Sequence, residues 1–371
     1  MTPPAPGCIS LARVASQISI APLALRCASI NLLLMLVVAS ACGCGASPMR
    51  ATEPAPARRP LGPLAVLVPE GASTVVVARP DVLFASAAGP QIADTLVLPG
   101  GFDRFATRTG VDLRRLTEAV YVEYPDGASL VLVRGPFDAQ LVVAEAGERM
   151  SAIESRADAP FVRRAGFFSD ERRELVALDH DVVVVTSGAA VAPLAALLAC
   201  VSSPERRCRT ALSGRDAAAL LAAHRVAPLA VYAPTGLALP EGFDTASLFA
   251  GTRALAAVVT LQSGDDLDLD VDLRGRFPAD AEQNFRAFAQ SLGRSELGAM
   301  LGLASAAERM TTTRAAQTLR LHTTVTVAPL VHGLQVLFAG EISAILEQPS
   351  AQPPGLPQSA ADVGATSENH K

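Results

Sequence analysis

AVYVEYPDGASLVLVRGPF, residues 119–137, reads as a complete β-hairpin followed by the start of a helix. Two apolar, β-branched runs, Ala119 to Tyr124 and Ser129 to Arg134, flank Pro125-Asp126-Gly127-Ala128. Proline presets its own φ, aspartate bonds the backbone ahead of it, and glycine tolerates positive φ, so this tetrapeptide predicts a tight turn. Gly135 lets the chain leave the sheet, and a helix is expected from Phe137 to Met150. The same pattern recurs at residues 254–277, ALAAVVTLQSGDDLDLDVDLRGRF. Here Ala254 to Leu261 and Asp266 to Arg274 form a hairpin about Ser263-Gly264-Asp265. A helix after Pro278 puts Phe285, Phe288 and Leu292 on one face and stops near Gly293. Hairpins that each run into a helix imply an antiparallel sheet with helices packed on it, an α+β fold.

The rest of the body fits this pattern. Ser73 to Arg79 and Leu229 to Ala233 are strand-like, and Glu174 to Asp179 with Asp181 to Thr186 form another hairpin. Pro80 to Leu98, Phe102 to Thr117 and Ala189 to Val201 read as helices. Ser213 opens a further helix ending near His224, with Asp216 as a capping-box-like partner. Leu319 to Val327 reads as a strand. Pro329 to Glu347 is an amphipathic helix with Leu330, Leu334, Leu337, Phe338 and Ile345 on its inward stripe.

The two hairpin–helix units suggest an internal duplication, giving two related halves built from antiparallel hairpins each followed by a helix. Arg134-Gly135-Pro136-Phe137 matches Arg274-Gly275-Arg276-Phe277 at an offset of 140. Val191-Ala192-Pro193-Leu194 matches Val327-Ala328-Pro329-Leu330 at 136, and Pro63-Leu64-Ala65-Val66 matches Pro228-Leu229-Ala230-Val231 at 165. The first strand also aligns differently, with Val76-Val77-Ala78 against Val231-Tyr232-Ala233. Expected boundaries are 63–212 for the first α+β half and 213–347 for the second, with residues 348–371 a Pro/Ser-rich disordered tail.

Ahead of the body, Ile30 to Val38 is apolar apart from Asn31, too short to span a bilayer, which takes roughly 20 residues. Arg13 and Arg26 precede it, and Ala39-Ser40-Ala41 follows. This is the layout of an export signal, residues 1–41. Cys42 comes next, and there the segment resembles the lipobox of bacterial lipoproteins, whose cysteine is acylated and becomes the mature N-terminus. Ala39 stands where that family usually has Leu, and Ala-Ser-Ala is also an acceptable site for ordinary signal peptidase. The resemblance implies lipidation at Cys42. Because Gly43 rather than Asp follows the cysteine, it also implies an outer-membrane or periplasmic address; the alternative is a secreted, soluble protein. Residues 42–62, rich in Pro and Ala, read as a linker.

Composition closes off several classes of function. The net charge of −5 argues against a nucleic-acid partner. Lys371 is the single lysine, so lysine-based nucleophiles, Schiff bases and P-loops are excluded from the body. Cys200 and Cys208, the two cysteines outside the signal region, predict a disulfide in an exported protein. The alternating acids Asp266, Asp268, Asp270 and Asp272 read as the watered face of a strand, protecting an edge, rather than a calcium site, since a straight strand splays its carboxylates. His180, in Asp179-His180-Asp181, reads as a turn histidine, and no two histidines stand at metal spacing. No dinucleotide, Walker A or nucleophile-elbow motif occurs. The sequence thus names no catalytic, cofactor-binding or metal residue. The expected role is non-enzymatic, binding an envelope protein or small ligand or serving a structural purpose, with a membrane partner through the anchor. A secreted hydrolase with a scattered site and a carrier of lipid or another small ligand are the alternatives.

Overall fold

The computed structural model of the chain describes residues 61–146, 150–153, 161–168, 171–187, 190–202, 208–236, 249, 251–262 and 266–347. The signal stretch, Cys42 and the tail lie outside the described residues. The fold is α+β. Its centre is a sheet of twelve strands: β1 (Thr74–Ala78), β2 (Glu118–Glu123), β3 (Ser129–Arg134), β4 (Ser151–Ala152), β5 (Val162–Phe168), β6 (Glu171–Asp179), β7 (Val182–Thr186), β8 (Leu229–Ala233), β9 (Thr252–Leu261), β10 (Asp266–Gly275), β11 (Thr311–Ala315) and β12 (Thr318–Thr326). The spatial order is β11-β12-β10-β9-β8-β1-β2-β3-β7-β6-β5-β4. Each of these pairings is antiparallel.

The β2–β3 turn forms as its residues dictate. Gly127 takes φ 81°, its N–H donates to the Tyr124 carbonyl at 3.0 Å, and Asp126 Oδ1 accepts from Ala128 N at 3.1 Å. The seam of the molecule is the pairing of β1 with β8, Val75 opposite Tyr232 and Val77 opposite Ala230. Outward from this seam, one arm runs β1-β2-β3-β7-β6-β5-β4 and the other β8-β9-β10-β12-β11.

Side chains alternate between the two faces of the sheet. Face A carries Val75, Val120, Val122, Leu130, Leu132, Val182, Val184, Ala230, Tyr232, Ala254, Ala256 and Val258, all in one buried core. It is covered by a 3-10 turn at Leu64–Leu67 and by the helices Val191–Ser202 (α5) and Arg215–His224 (α6). Face B carries Val76, Tyr121, Val131, Val183, Val185, Leu255, Leu273 and Leu319. Its cover is Pro80–Ala85 (α1), Gly89–Leu96 (α2), Gly101–Thr109 (α3), Ala139–Glu145 (α4), Ala281–Arg294 (α7), Glu296–Met300 (α8), Leu303–Arg309 (α9) and Val327–Glu347 (α10). α10 starts after β12 and packs on α2 and α3 of the other arm, tying the two arms together.

Several expectations need correction. Residues 80–98 hold two helices, because the chain turns at Ser86 and restarts at Gly89-Pro90. The third helix stops at Gly110, φ 70°, and Leu113–Arg115 is a separate 3-10 turn. Ser213 does not cap a helix: its hydroxyl donates to the Thr210 carbonyl at 2.6 Å, the helix begins at Arg215, and Asp216 pairs with Arg253 at 3.0 Å. Leu292 is 42 % exposed and lies off the apolar stripe of α7. Pro63-Leu64-Ala65-Val66 coils as a 3-10 turn while Leu229 to Ala233 is a strand, so that tetrapeptide match does not correspond in structure. The alternative alignment sets β1 against β8, strands of five residues each. β10 is not an edge; it lies between β9 and β12. Gly135 and Gly275 are absent from the positive-φ positions, so close approach explains them. A Cβ at Gly275 would stand 2.0 Å from the Gly251 carbonyl oxygen, at a register shift of β10.

Candidate ligand-binding cavity

A cavity of about 830 Å³ opens on face A directly over the β1–β8 seam. That volume is in the range of small-molecule sites, about 300–1,000 Å³. Its floor is Val77 of β1, Ala230 and Tyr232 of β8, Glu118 of β2 and Arg134 of β3. One wall is the 3-10 turn, through Pro63, Ala65 and Val66; the other is α6, through Ala218, Leu221 and His224, continuing into Arg225 and Val226. Thr210, Leu212 and Ser213 lie where α6 begins. The two walls exist because α6 and the 3-10 turn bury apolar residues on either side of the seam, Leu220 and Leu64 among them, and leave a gap over residues as small as Ala230. Val66 and Val226, 42 % and 67 % exposed, form an apolar lip.

The polar groups fall into two sets. Glu118 and Arg134 neutralise one another, with Arg134 Nη1 donating to Glu118 Oε2 at 3.3 Å. Glu118 Oε1 accepts from the Ala65 N–H at 3.3 Å, and Arg134 Nη2 donates to the carbonyls of Leu61 and Gly62 at 3.1 and 2.9 Å. This pair therefore staples residues 61–65 onto the sheet. The second set has no such partners. Tyr232 is 1 % exposed and lines the cavity, and among the described residues nothing hydrogen-bonds its hydroxyl. Burial raises that phenol to about 12, so it stays protonated and able to donate. Arg79 is half-buried, with its guanidinium likewise unpaired among the described residues. Arg225 is exposed at the lip.

His224 joins the cavity to a buried ionic cluster. Its Nε2 lies 2.9 Å from Asp272 Oδ2, and Arg320 donates to the same carboxylate at 2.5 and 3.0 Å. Asp272 is 1 % exposed. Burial pushes its carboxyl up, but the hydrogen bonds and charges of His224 and Arg320 outweigh burial and bring it to about 2. The other acids of the run are satisfied across the ladder, Asp266 by Thr326, Asp268 by Thr324 and Gln262, and Asp270 by His322. Cross-strand register supplies these partners, which gives the acidic row an ordinary structural explanation.

The structure brings Cys200 and Cys208 together as a disulfide, Cα atoms 5.8 Å apart, at the end of α5. Asp179, His180 and Asp181 put their ligand atoms within 4.8 Å of one another in the β6–β7 turn, and Asp179 already accepts from the His180 backbone and ring. Cys42 lies outside the described residues. No described helix is long and apolar enough to cross a membrane. Sequence reasoning passed over Tyr232, Arg79, Glu118 and Arg134. Arg134 had a signal, since it sits in the repeated Arg-Gly-x-Phe stretch, and Tyr232 is one of only three tyrosines; neither fact specified a cavity. No protein family matches the chain, and neither does any curated protein or solved structure.

Proposed function

We propose that this is an exported envelope protein, anchored by lipid at Cys42, that binds a small ligand without transforming it. The observation that carries the binding role is the cavity over the β1–β8 seam, onto which Tyr232 opens with no hydrogen bond to its hydroxyl among the described residues. A hydroxyl that faces a cavity and has no protein partner is free to bond a ligand oxygen. The anchor rests on the sequence Ile30 to Cys42. The membrane is then the partner through that lipid, with the Pro/Ala-rich residues 42–62 as the linker.

Intact mass analysis of the mature protein tests the anchor: a diacyl- or triacyl-modified N-terminal Cys42 is expected, and an unmodified N-terminus would leave a soluble protein. Denaturing extraction of protein purified from its native envelope tests the binding role, with a stoichiometric small molecule expected.

A second reading, hydrolysis, is favoured by one arrangement. Ser213 and His224 both line the cavity, and Asp272 stands behind His224. Against it, Ser213 Oγ donates to the Thr210 carbonyl, and no hydrogen bond links Ser213 to His224. Covalent labelling of Ser213 by a fluorophosphonate would establish the hydrolytic reading over the binding one.

We also read the two arms as copies of one unit. Their outward strand orders support this: on each side three strands run out from the seam and helical chain follows the third, one helix and four strands in one arm, three helices and two strands in the other. The offset of 140 sets Leu132 against Asp272, and both face side A. The correspondence ends at the last helix: α5 covers face A, α10 face B.

A further inference from the structure

We propose, building on the binding role above, that the ligand is an elongated amphipathic monoanion: a carboxylate with an alkyl body and a hydrogen-bonding group at its far end. The charges lining the cavity are Glu118, Arg79, Arg134 and Arg225, besides His224. Glu118 is cancelled by Arg134, which is also held by Asp181 at 3.6 Å and by two backbone carbonyls. Arg79 and Arg225 remain uncompensated among the described residues. The protein as a whole carries −5, so this local excess of positive charge runs against its overall balance.

Both arginines lie at the same end of the cavity. The Arg79 N–H donates to the Pro228 carbonyl, and Arg225 and Val226 form the turn that leads to Pro228. Tyr232 lies four residues along β8 from Pro228, about 13 Å at strand rise. Between these ends the lining is Val77, Ala230, Leu221 and Ala218, with Val66 at the lip. The order along the cavity is therefore cationic, apolar, hydroxyl. A single alkyl carboxylate of about a dozen carbons matches that span. An ammonium head would face Arg79 and Arg225 directly.

Tyr232 then acts as the reader of the far end. Its phenol, held protonated by burial, donates to or accepts from a hydroxyl or carbonyl oxygen that a plain alkyl chain lacks. A site that hydrogen-bonds a ligand oxygen discriminates against ligands without one, because its own polar group is otherwise left unpaired.

Calorimetric titration of the full mature chain carrying Cys42→Ser, which blocks acylation and changes no described residue, tests this. The probes are dodecanoate, ω-hydroxydodecanoate, dodecanol and dodecylamine. Both carboxylates are expected to bind, ω-hydroxydodecanoate the tighter, with dodecanol weaker and dodecylamine silent. Arg79→Gln weakens both carboxylates by about tenfold or more, since a charge-assisted contact is lost. Tyr232→Phe keeps the ring and abolishes the preference for the ω-hydroxyl, bringing the two carboxylates to equal affinity; a preference that survives it would overturn the reading of Tyr232. Equal binding of dodecanol, dodecylamine and dodecanoate, indifferent to Arg79→Gln, would overturn the anionic class while leaving a binding cavity. If none of the four binds but extraction of the native protein yields a bound molecule of other chemistry, the ligand class alone falls. If none binds and extraction yields nothing, the binding role falls with it.

Discussion

Asp272 is the residue whose loss the fold should feel most sharply. It is a fully buried carboxylate serving two partners, His224 from α6 and Arg320 from β12. Removing one member of a buried pair strands the rest. Arg320 is half-exposed and can turn to water, so Asp272→Ala is expected to cost about 2–3 kcal/mol, below the full penalty for a sealed pair. Urea unfolding of the variant measures it. The sign of the pH effect follows from the depressed carboxyl. The native group sits at about 2 against an ordinary 3.8, so its contribution is complete above the ordinary value and is lost as pH falls from there through 2. Stability plotted against pH should drop across that window in the wild type and be flatter there in Asp272→Asn. The glycines offer a paired comparison. Ala at 275 meets backbone, the Gly251 oxygen at 2.0 Å, whereas Ala at 135 meets the side chains of Leu116 and Phe137 at 2.9 and 3.0 Å. Side chains can give and a paired strand cannot, so Gly275→Ala should lower the melting temperature more than Gly135→Ala.

At the scale of the element, the run of aspartates in β10 determines what covers the sheet. On β3 the face A positions Leu130 and Leu132 are buried in the core that α5 covers, with Arg134 at the strand's end. On β10 they are acids, which no apolar helix can cover without stranding charge. The helix after β12 accordingly packs on face B, and Asp266, Asp268 and Asp270 keep their cross-strand partners at a partly open surface. The alternation Asp-Leu-Asp-Leu-Asp-Val-Asp-Leu showed which face was wet; it did not show that the strand was internal, because pairing partners lie far off in the chain. The hairpins at 119–134 and 254–274 were legible because turn and strands are contiguous and their local signals agree. β5 and β11 were not. Val162–Phe168 carries two adjacent arginines and Thr311–Ala315 is mostly threonine, so neither has an apolar alternation to detect. Their pairing with β6 and β12 near the sheet margins gives them structure. The Cys200–Cys208 bridge is a local element of another kind. It closes a short loop at the end of α5, and its reduction should lower stability by about 2–3 kcal/mol, read from thermal melts with and without reductant.

For the whole molecule, the boundary between residues 63–212 and 213–347 runs through a shared core. Ala230, Tyr232, Ala254, Ala256 and Val258 from one side are buried in the same cluster as Val75, Val120 and Leu130 from the other. β1 and β8 pair along that boundary, and α10 reaches back across it. Expressed separately, the two pieces are expected to remain unfolded, and the intact body should unfold in a single transition, seen as coincident circular dichroism and calorimetric curves. The cavity was illegible for the same reason that this core is indivisible. Its floor is drawn from strands separated by more than a hundred residues of chain, and no local pattern records their meeting. The staple at Leu61 to Ala65 adds a mechanical property. The segment ahead of it is the one that would lead to a membrane, and the same stretch is a wall of the cavity. Traction on that segment is therefore carried first by the hydrogen bonds of residues 61–65 to Asp179, Arg134 and Glu118, then by Val68 and Pro69 against Ala211 and Thr210, and only afterwards by β1 in its ladder. The leash and the door share a hinge: a pull that parts those bonds lifts the wall from the cavity and leaves the twelve-stranded sheet intact.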